Sequence, residues 1–293
     1  MNRSKMITAT ALATVLSAGV ANAEMSISGL YAGSISDTDG AATSHDLSTN
    51  SIYVSYSDSM DNGMGLGVTM SVTAAGIKTT IGVDTGFGSI DLGNGGDSAM
   101  DDADGSPAEI SQKHGARFGA GFKDGDEAGD GNSIKYSSPS MNGLTFQATM
   151  GFDDGTYDDT ISAAAQYSLM GVSLKAGVAS LDGKEASVQD QDPSFVTAAY
   201  SIAGLNLGYA QYDHDDNSTN GEETQLGVST DMMGMTIGAT FAELDTSTTD
   251  TDYTLFVAKK SLGAASFGVE YLESDPSNAD STDQITFTYA VGF

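Results

Sequence analysis

The feature that most constrains the fold is an alternation of apolar and small polar residues with a period of two. Leu66, Val68, Met70 and Val72 alternate with Gly, Ser and Thr, and similar segments recur along the chain. Such a period places alternate side chains on opposite faces of a β-strand. Sixteen segments of this kind follow residue 23, and none approaches the roughly twenty apolar residues of a membrane-spanning helix. The sequence therefore predicts an all-β chain of sixteen strands.

The connections between these segments alternate in length and charge. One set is short, and the other is mostly long and acidic, with one short exception at residues 74–76. This asymmetry is typical of an antiparallel transmembrane β-barrel with short periplasmic turns and long extracellular loops. The predicted short connections are residues 58–64, 84–87, 139–143, 169–171, 202–204, 231–234 and 260–264; the predicted long ones are 37–50, 93–132, 153–159, 182–192, 213–223, 245–250 and 273–281.

The nature of the polar face favours a membrane barrel over a secreted acidic β protein, the alternative that alternation alone leaves open. Ser, Thr, Gly and Ala dominate that face, and most charges lie in the connections. Lys78, Lys135 and Lys175 all have the polar parity. A lysine on the lipid face costs about 2–4 kcal/mol near the bilayer midplane, whereas a water-filled lumen removes that cost. We therefore predict that the polar face lines a lumen and that the apolar face, including Leu255 and Val257, faces lipid.

The N-terminus has the three parts of a secretory signal peptide. Arg3 and Lys5 precede a mostly apolar run, and Ala21-Asn22-Ala23 is a small-residue cleavage site. We expect residues 1–23 to be removed and residues 24–293 to form a single barrel domain. The formal net charge of −29 argues against nucleic acid as a partner, because phosphate binding needs clustered Lys and Arg. The chain has no Cys, so no disulfide contributes to its stability.

Two segments and the C-terminus are more specific than the alternation. GFGSIDLG (residues 86–93) and NSIKYSSP (residues 132–139) flank a stretch of about forty residues, and the chain ends with Phe287, Tyr289 and Phe293 at matching parity. These features resemble the general porins of Gram-negative bacteria, and within them the alphaproteobacterial branch. The resemblance implies a homotrimer of sixteen-stranded barrels, an inward-folded constriction loop at residues 93–132, and a terminal aromatic that the barrel-assembly machinery recognises.

The resemblance also implies which residues would line the constriction. Loop carboxylates face basic residues of the barrel wall in the family, but the arginine ladder of many relatives is missing here, so the usual field is in doubt. Loop charges that are merely solvated are the alternative. The candidate residues are Asp97, Asp101, Asp102, Asp104, Glu109, Lys113 and Arg117 on the loop, together with Lys78, Lys135 and Lys175 on the wall.

The function predicted from these features is passive diffusion of small hydrophilic solutes and ions, with a preference for cations. Outer-membrane lipid is the other expected partner. No cofactor is expected; residues 102–105 and 124–126 offer carboxylates for loose Ca²⁺ binding without a complete EF-hand spacing. No catalytic motif is present, so no enzymatic activity is expected. A surface barrel with a closed lumen, acting as an adhesin or a structural protein, is the alternative from another class.

Overall fold

The computed structural model describes residues 24–73, 76–94, 97–105, 132–152, 157–183, 190–215 and 221–293. They form sixteen β-strands and one short helix, α1 (Ala99–Ala103), and no helix among them is long and apolar enough to cross a membrane. The strands are β1 Glu24–Thr38, β2 Ser44–Ser59, β3 Gly65–Thr73, β4 Gly76–Thr85, β5 Gly88–Asn94, β6 Asn132–Ser137, β7 Leu144–Phe152, β8 Tyr157–Leu169, β9 Val172–Gly183, β10 Ser194–Ile202, β11 Leu205–His214, β12 Gly221–Met232, β13 Met235–Thr246, β14 Asp250–Leu262, β15 Ala265–Pro276 and β16 Thr282–Gly292.

The strands form one closed antiparallel barrel. Each strand pairs with its neighbours in the chain, and β1 pairs with β16, with Tyr31 opposite Val291. Two backbone hydrogen bonds between Gly29 and Phe293 extend this seam, at 3.0 and 3.1 Å. Closure leaves no unpaired strand edge, which a lipid environment requires. The predicted fold class, a sixteen-stranded antiparallel barrel, is confirmed.

The two faces of the barrel differ as the alternation predicts on most strands. Ile161, Leu226 and Ile285 are exposed on the outer face, whereas Ser162, Gln225 and Thr286, one position along each strand, are buried on the inner face. We call these faces outward and inward. The outward apolar residues form the surface that contacts lipid in a transmembrane barrel.

The predicted orientation of β14 is wrong. Leu255 and Val257 are only 2% and 5% exposed and face inward, whereas Phe256 is 49% exposed and faces outward. Phe256 pairs with Ala239 on β13 and with Tyr271 on β15, and those neighbouring strands fix its orientation. Residues 255–257 are all apolar, so alternation does not distinguish their two faces.

Several connections are shorter than the sequence predicts, because the strands continue into polar and acidic residues. The predicted loop at residues 37–50 is wrong: β1 extends to Thr38 and β2 begins at Ser44, so only residues 39–43 connect them. At the opposite rim, two-residue turns join β8 to β9, β10 to β11 and β12 to β13. Met170-Gly171 and Met233-Gly234 both have positive φ at each position, the geometry of a type I′ hairpin turn.

Candidate pore constriction

Helix α1 follows β5 and begins the long connection to β6. Its N-cap is Ser98, whose hydroxyl accepts a hydrogen bond of 3.0 Å from the backbone N–H of Asp101. Capping of this kind pairs one of the backbone donors that a helix start leaves free. Three of its five residues, Ala99, Met100 and Ala103, are completely buried. The helix is therefore packed against other parts of the chain.

The surface that α1 contacts is the inner wall of the barrel at β7, β8 and β9. The backbone N–H of Ala99 donates to Thr149 Oγ1 at 2.9 Å and to Ser162 Oγ at 3.1 Å. Thr149 and Ser162 are buried and have the parity opposite to Met150 and Ile161, which are exposed outward. The start of the predicted loop therefore lies inside the barrel.

An apolar cluster surrounds the buried face of α1. Met100 and Ala103 belong to a group of buried residues that includes Leu181, Phe195 and Tyr212, all on inward positions of β9, β10 and β11. The rings of Phe195 and Tyr212 lie 6.1 Å apart. The sequence analysis missed this cluster because it treated the inner face as uniformly small and polar.

Lys135 of β6 connects the wall to α1. Its Nζ lies 2.6 Å from Asp102 Oδ2 and donates to the backbone oxygen of Asp97 at 3.0 Å. Gln147 Nε2 of β7 donates to the same carboxylate oxygen of Asp102 at 2.9 Å. Charge-assisted hydrogen bonds of this kind are stronger than bonds between neutral groups. We call Lys135, Asp102, Gln147 and the Asp97 carbonyl the lysine clip.

The remaining predicted residues are placed as follows. Lys175 of β9 donates to the backbone oxygen of Asp104 at 3.3 Å, so a second wall lysine contacts the loop. Asp101 lies in the first turn of α1. Lys78 lies at an inward position of β4, between the outward Ile77 and the polar Thr79. Glu109, Lys113 and Arg117 lie outside the described residues, as do His114 and Lys123.

Among the inward carboxylates that the sequence analysis missed are one on β5 and one on β4. Asp91 of β5 lies between the outward Ile90 and Leu92, and its register partner on β6 is Lys135. Its side chain lies across Gly82 of β4: a Cβ at Gly82 would be 2.6 Å from Asp91 Oδ1. Asp84 lies across Gly65 of β3 in the same way. The parity rule that places Lys135 in the lumen also places Asp91 there, so the signal was present in the sequence.

The model of the family described as Gram-negative porin matches residues 8–293. The chain belongs to the Gram-negative porin family. It is therefore a channel protein of the bacterial outer membrane. No curated protein is similar to this porin at a significant level.

Solved structures share the fold of this porin at low sequence identity. A loop L8 deletion mutant of OmpT, an outer membrane protein of Vibrio cholerae, matches with a TM-score of 0.74 and 14% identity, over 93% of this chain and 100% of that one. An anion-selective porin from Comamonas acidovorans matches with a TM-score of 0.69 and 16% identity, over 92% and 100%. A mutant of Rh. blastica porin matches with a TM-score of 0.70 and 17% identity, over 92% and 100%.

The C-terminal aromatics of this porin pack against glycines of β1. A Cβ at Gly29 would be 2.2 Å from the ring of Phe293, and one at Gly33 would be 2.7 Å from the hydroxyl of Tyr289. Phe287 stacks on Phe267 of β15, with ring centroids 6.2 Å apart. These rings therefore cover the seam where the barrel closes. Recognition of Phe287, Tyr289 and Phe293 by the assembly machinery stays a prediction.

The calcium interpretation gains no site in the described part of this porin. Among those residues, no group of three or more His, Asp or Glu side chains is arranged to hold a metal ion. Asp102 instead accepts hydrogen bonds from Lys135 and Gln147. Residues 124–126 lie outside the described residues.

Proposed function

We propose that this porin is a passive diffusion channel for small hydrophilic solutes and ions, with a preference for cations. The observation that carries the proposal is α1, which the lysine clip holds against the inner wall of a closed sixteen-stranded barrel. A barrel of this size is wide enough for an aqueous channel, and a loop inside it narrows the passage. Residues 93–132 are then the constriction loop, and Glu109, Lys113 and Arg117 are further candidates for its lining.

The charge of the protein supports the cation preference. The net formal charge is −29, and Asp84 and Asp91 are at inward positions of β4 and β5. A negative field raises the local concentration of cations and lowers that of anions, over about 10 Å at 0.1 M salt. A porin of this fold from Comamonas acidovorans is anion-selective, so the fold alone does not set the sign of the preference. The lining charges of each chain must do so.

A planar bilayer recording tests the proposal. Under a tenfold KCl gradient, the reversal potential should have the sign of K⁺ preference, and the preference should weaken as the mean salt concentration rises, because salt screens exposed charges. A reversal potential of Cl⁻ sign would refute the cation preference. Purified, folded protein that inserts into the bilayer and gives no conductance steps would favour the closed-barrel alternative.

Processing and assembly complete the proposal. We expect cleavage between Ala23 and Glu24, in agreement with the signal-peptide pattern, and a homotrimer, in agreement with the family resemblance. Mass spectrometry of the protein from outer membranes should give an N-terminal peptide that starts at Glu24. Native mass measurement in detergent should give three copies of the chain. A retained leader or a monomer would contradict the corresponding expectation.

A further inference from the structure

Asp91 and Lys135 are direct neighbours across β5 and β6, and both face the lumen next to α1. Opposite charges on facing positions of an antiparallel pair usually attract each other. Here they do not form an ion pair: within the described part of the chain, the only salt bridge of Lys135 within 4.0 Å is the one to Asp102. The Asp91 carboxylate lies across Gly82, on the strand at its other side.

The ammonium group of Lys135 is instead bound by α1. It contacts Asp102 Oδ2 at 2.6 Å and the Asp97 carbonyl at 3.0 Å, and its side chain is only 15% exposed. A lysine held in this way is neutralised by Asp102 and is poorly placed to attract anions that pass through the lumen. Its role in the constriction is therefore to position α1.

We propose that Asp91 is the residue of the wall that determines ion preference beside α1, because the clip directs the ammonium group of Lys135 to Asp102 and leaves the Asp91 carboxylate outside that ion pair. The proposal deepens the proposed function and rests on the chain forming an open channel. Gly82 leaves the space that the Asp91 carboxylate occupies. A Cβ at position 82 would be 2.6 Å from Asp91 Oδ1 and would displace the carboxylate.

The absence of native Cys from the sequence permits a direct test of charge at this position. Asp91→Cys introduces a unique thiol, which is labelled in the bilayer with a methanethiosulfonate reagent carrying either a sulfonate or a trimethylammonium group. The K⁺/Cl⁻ permeability ratio is then measured from the reversal potential. The unlabelled variant should have a ratio about threefold below that of the wild type, as expected for loss of one charge within several ångströms of the ion path in water.

The two labels should move the ratio in opposite directions. The sulfonate should return it towards the wild-type value, and the trimethylammonium group should lower it by about a further threefold. Asp58→Cys is the matched control. Asp58 lies on the outer face of β2, opposite Leu66 of β3, and accepts a hydrogen bond from Tyr56. Labels at this position should therefore not change the permeability ratio. Asp91→Asn, which needs no labelling, should reproduce the unlabelled value.

A ratio that does not respond to charge at position 91, in a variant that still conducts, would overturn the role of Asp91. An equal response at position 58 would do the same, because it would show a nonspecific effect of net charge. Failure of the proposed function is distinct from either result, since wild-type protein would then give no conductance or a Cl⁻-selective one. Folding of each variant is checked by the heat-dependent mobility of the barrel on gels.

Discussion

Shortening Met100 to Ala should release α1 from the barrel wall. Met100 is fully buried in the cluster with Leu181, Phe195 and Tyr212. Replacement of a buried Met by Ala costs about 2–5 kcal/mol, and a short helix can settle partly into the space, so we expect about 2–3 kcal/mol. Since 1.4 kcal/mol corresponds to a factor of ten, the undocked population of α1 should rise about 30- to 140-fold.

Single-channel recording measures this change. Undocking moves the start of the loop away from the wall, so Met100→Ala should give more conductance levels or more open-channel noise than the wild type. Met170→Ala is the matched control, because Met170 is 89% exposed in the β8–β9 turn and its loss creates no cavity. Met100→Leu conserves volume and should behave almost like the wild type. A Met100→Ala channel with the wild-type level and noise would refute the docking role of the cluster.

Substitutions at three further positions test other contacts. Lys135→Met should raise the mean single-channel conductance because it removes the salt bridge to Asp102. Lys135→Arg keeps a positive charge and N–H donors for both contacts, so its conductance should equal that of the wild type. Equal conductance of the wild type and both variants would show that the lysine clip does not hold α1. Gly29→Leu should lower the temperature at which the barrel loses its compact mobility on gels, because the side chain would occupy the space of the Phe293 ring; an unchanged transition would show that this packing is dispensable. Phe256→Arg should lower the free energy of unfolding in lipid vesicles by about 2–4 kcal/mol, measured by urea titration, and a smaller loss would contradict the outward orientation of Phe256.

The number of strands and the closure of the barrel could be predicted because they depend on the alternation of apolar and polar residues, which a lipid environment enforces. Every outward residue must be compatible with hydrocarbon and every backbone group must be paired, so a one-residue error in parity is costly. The lumen imposes a weaker condition, since inward residues can be wet or packed. Leu255 and Val257 are inward for this reason, and their apolar character carried no information about direction.

The candidate site was predictable to a similar, limited degree. Parity placed Lys135 and Lys175 in the lumen, and both contact the loop. Parity does not predict which group a lysine contacts. The sequence analysis expected the loop carboxylates to face the wall lysines across an open passage. Asp102 reaches Lys135 only because α1 docks, and docking depends on Met100 meeting residues of three distant strands. That contact is nonlocal, so no pattern within one segment could reveal it.

The inner wall therefore has two regions with different physical properties. Around Met100 it is dry and apolar, and there burial and the salt bridge between Lys135 and Asp102 fix the loop. At Asp91 and Asp84 the wall is polar, and each carboxylate lies across a glycine of the neighbouring strand. Among the described residues, no basic side chain forms a salt bridge with either carboxylate. A charge that holds a loop has to contact it directly, whereas a charge that acts on passing ions has to lie outside such a contact. Because one lysine cannot meet both requirements, the proposed role of Asp91 as the wall charge depends on the pairing of Lys135 with Asp102, and the proposed preference for cations then depends on the same contact that holds α1 in the barrel.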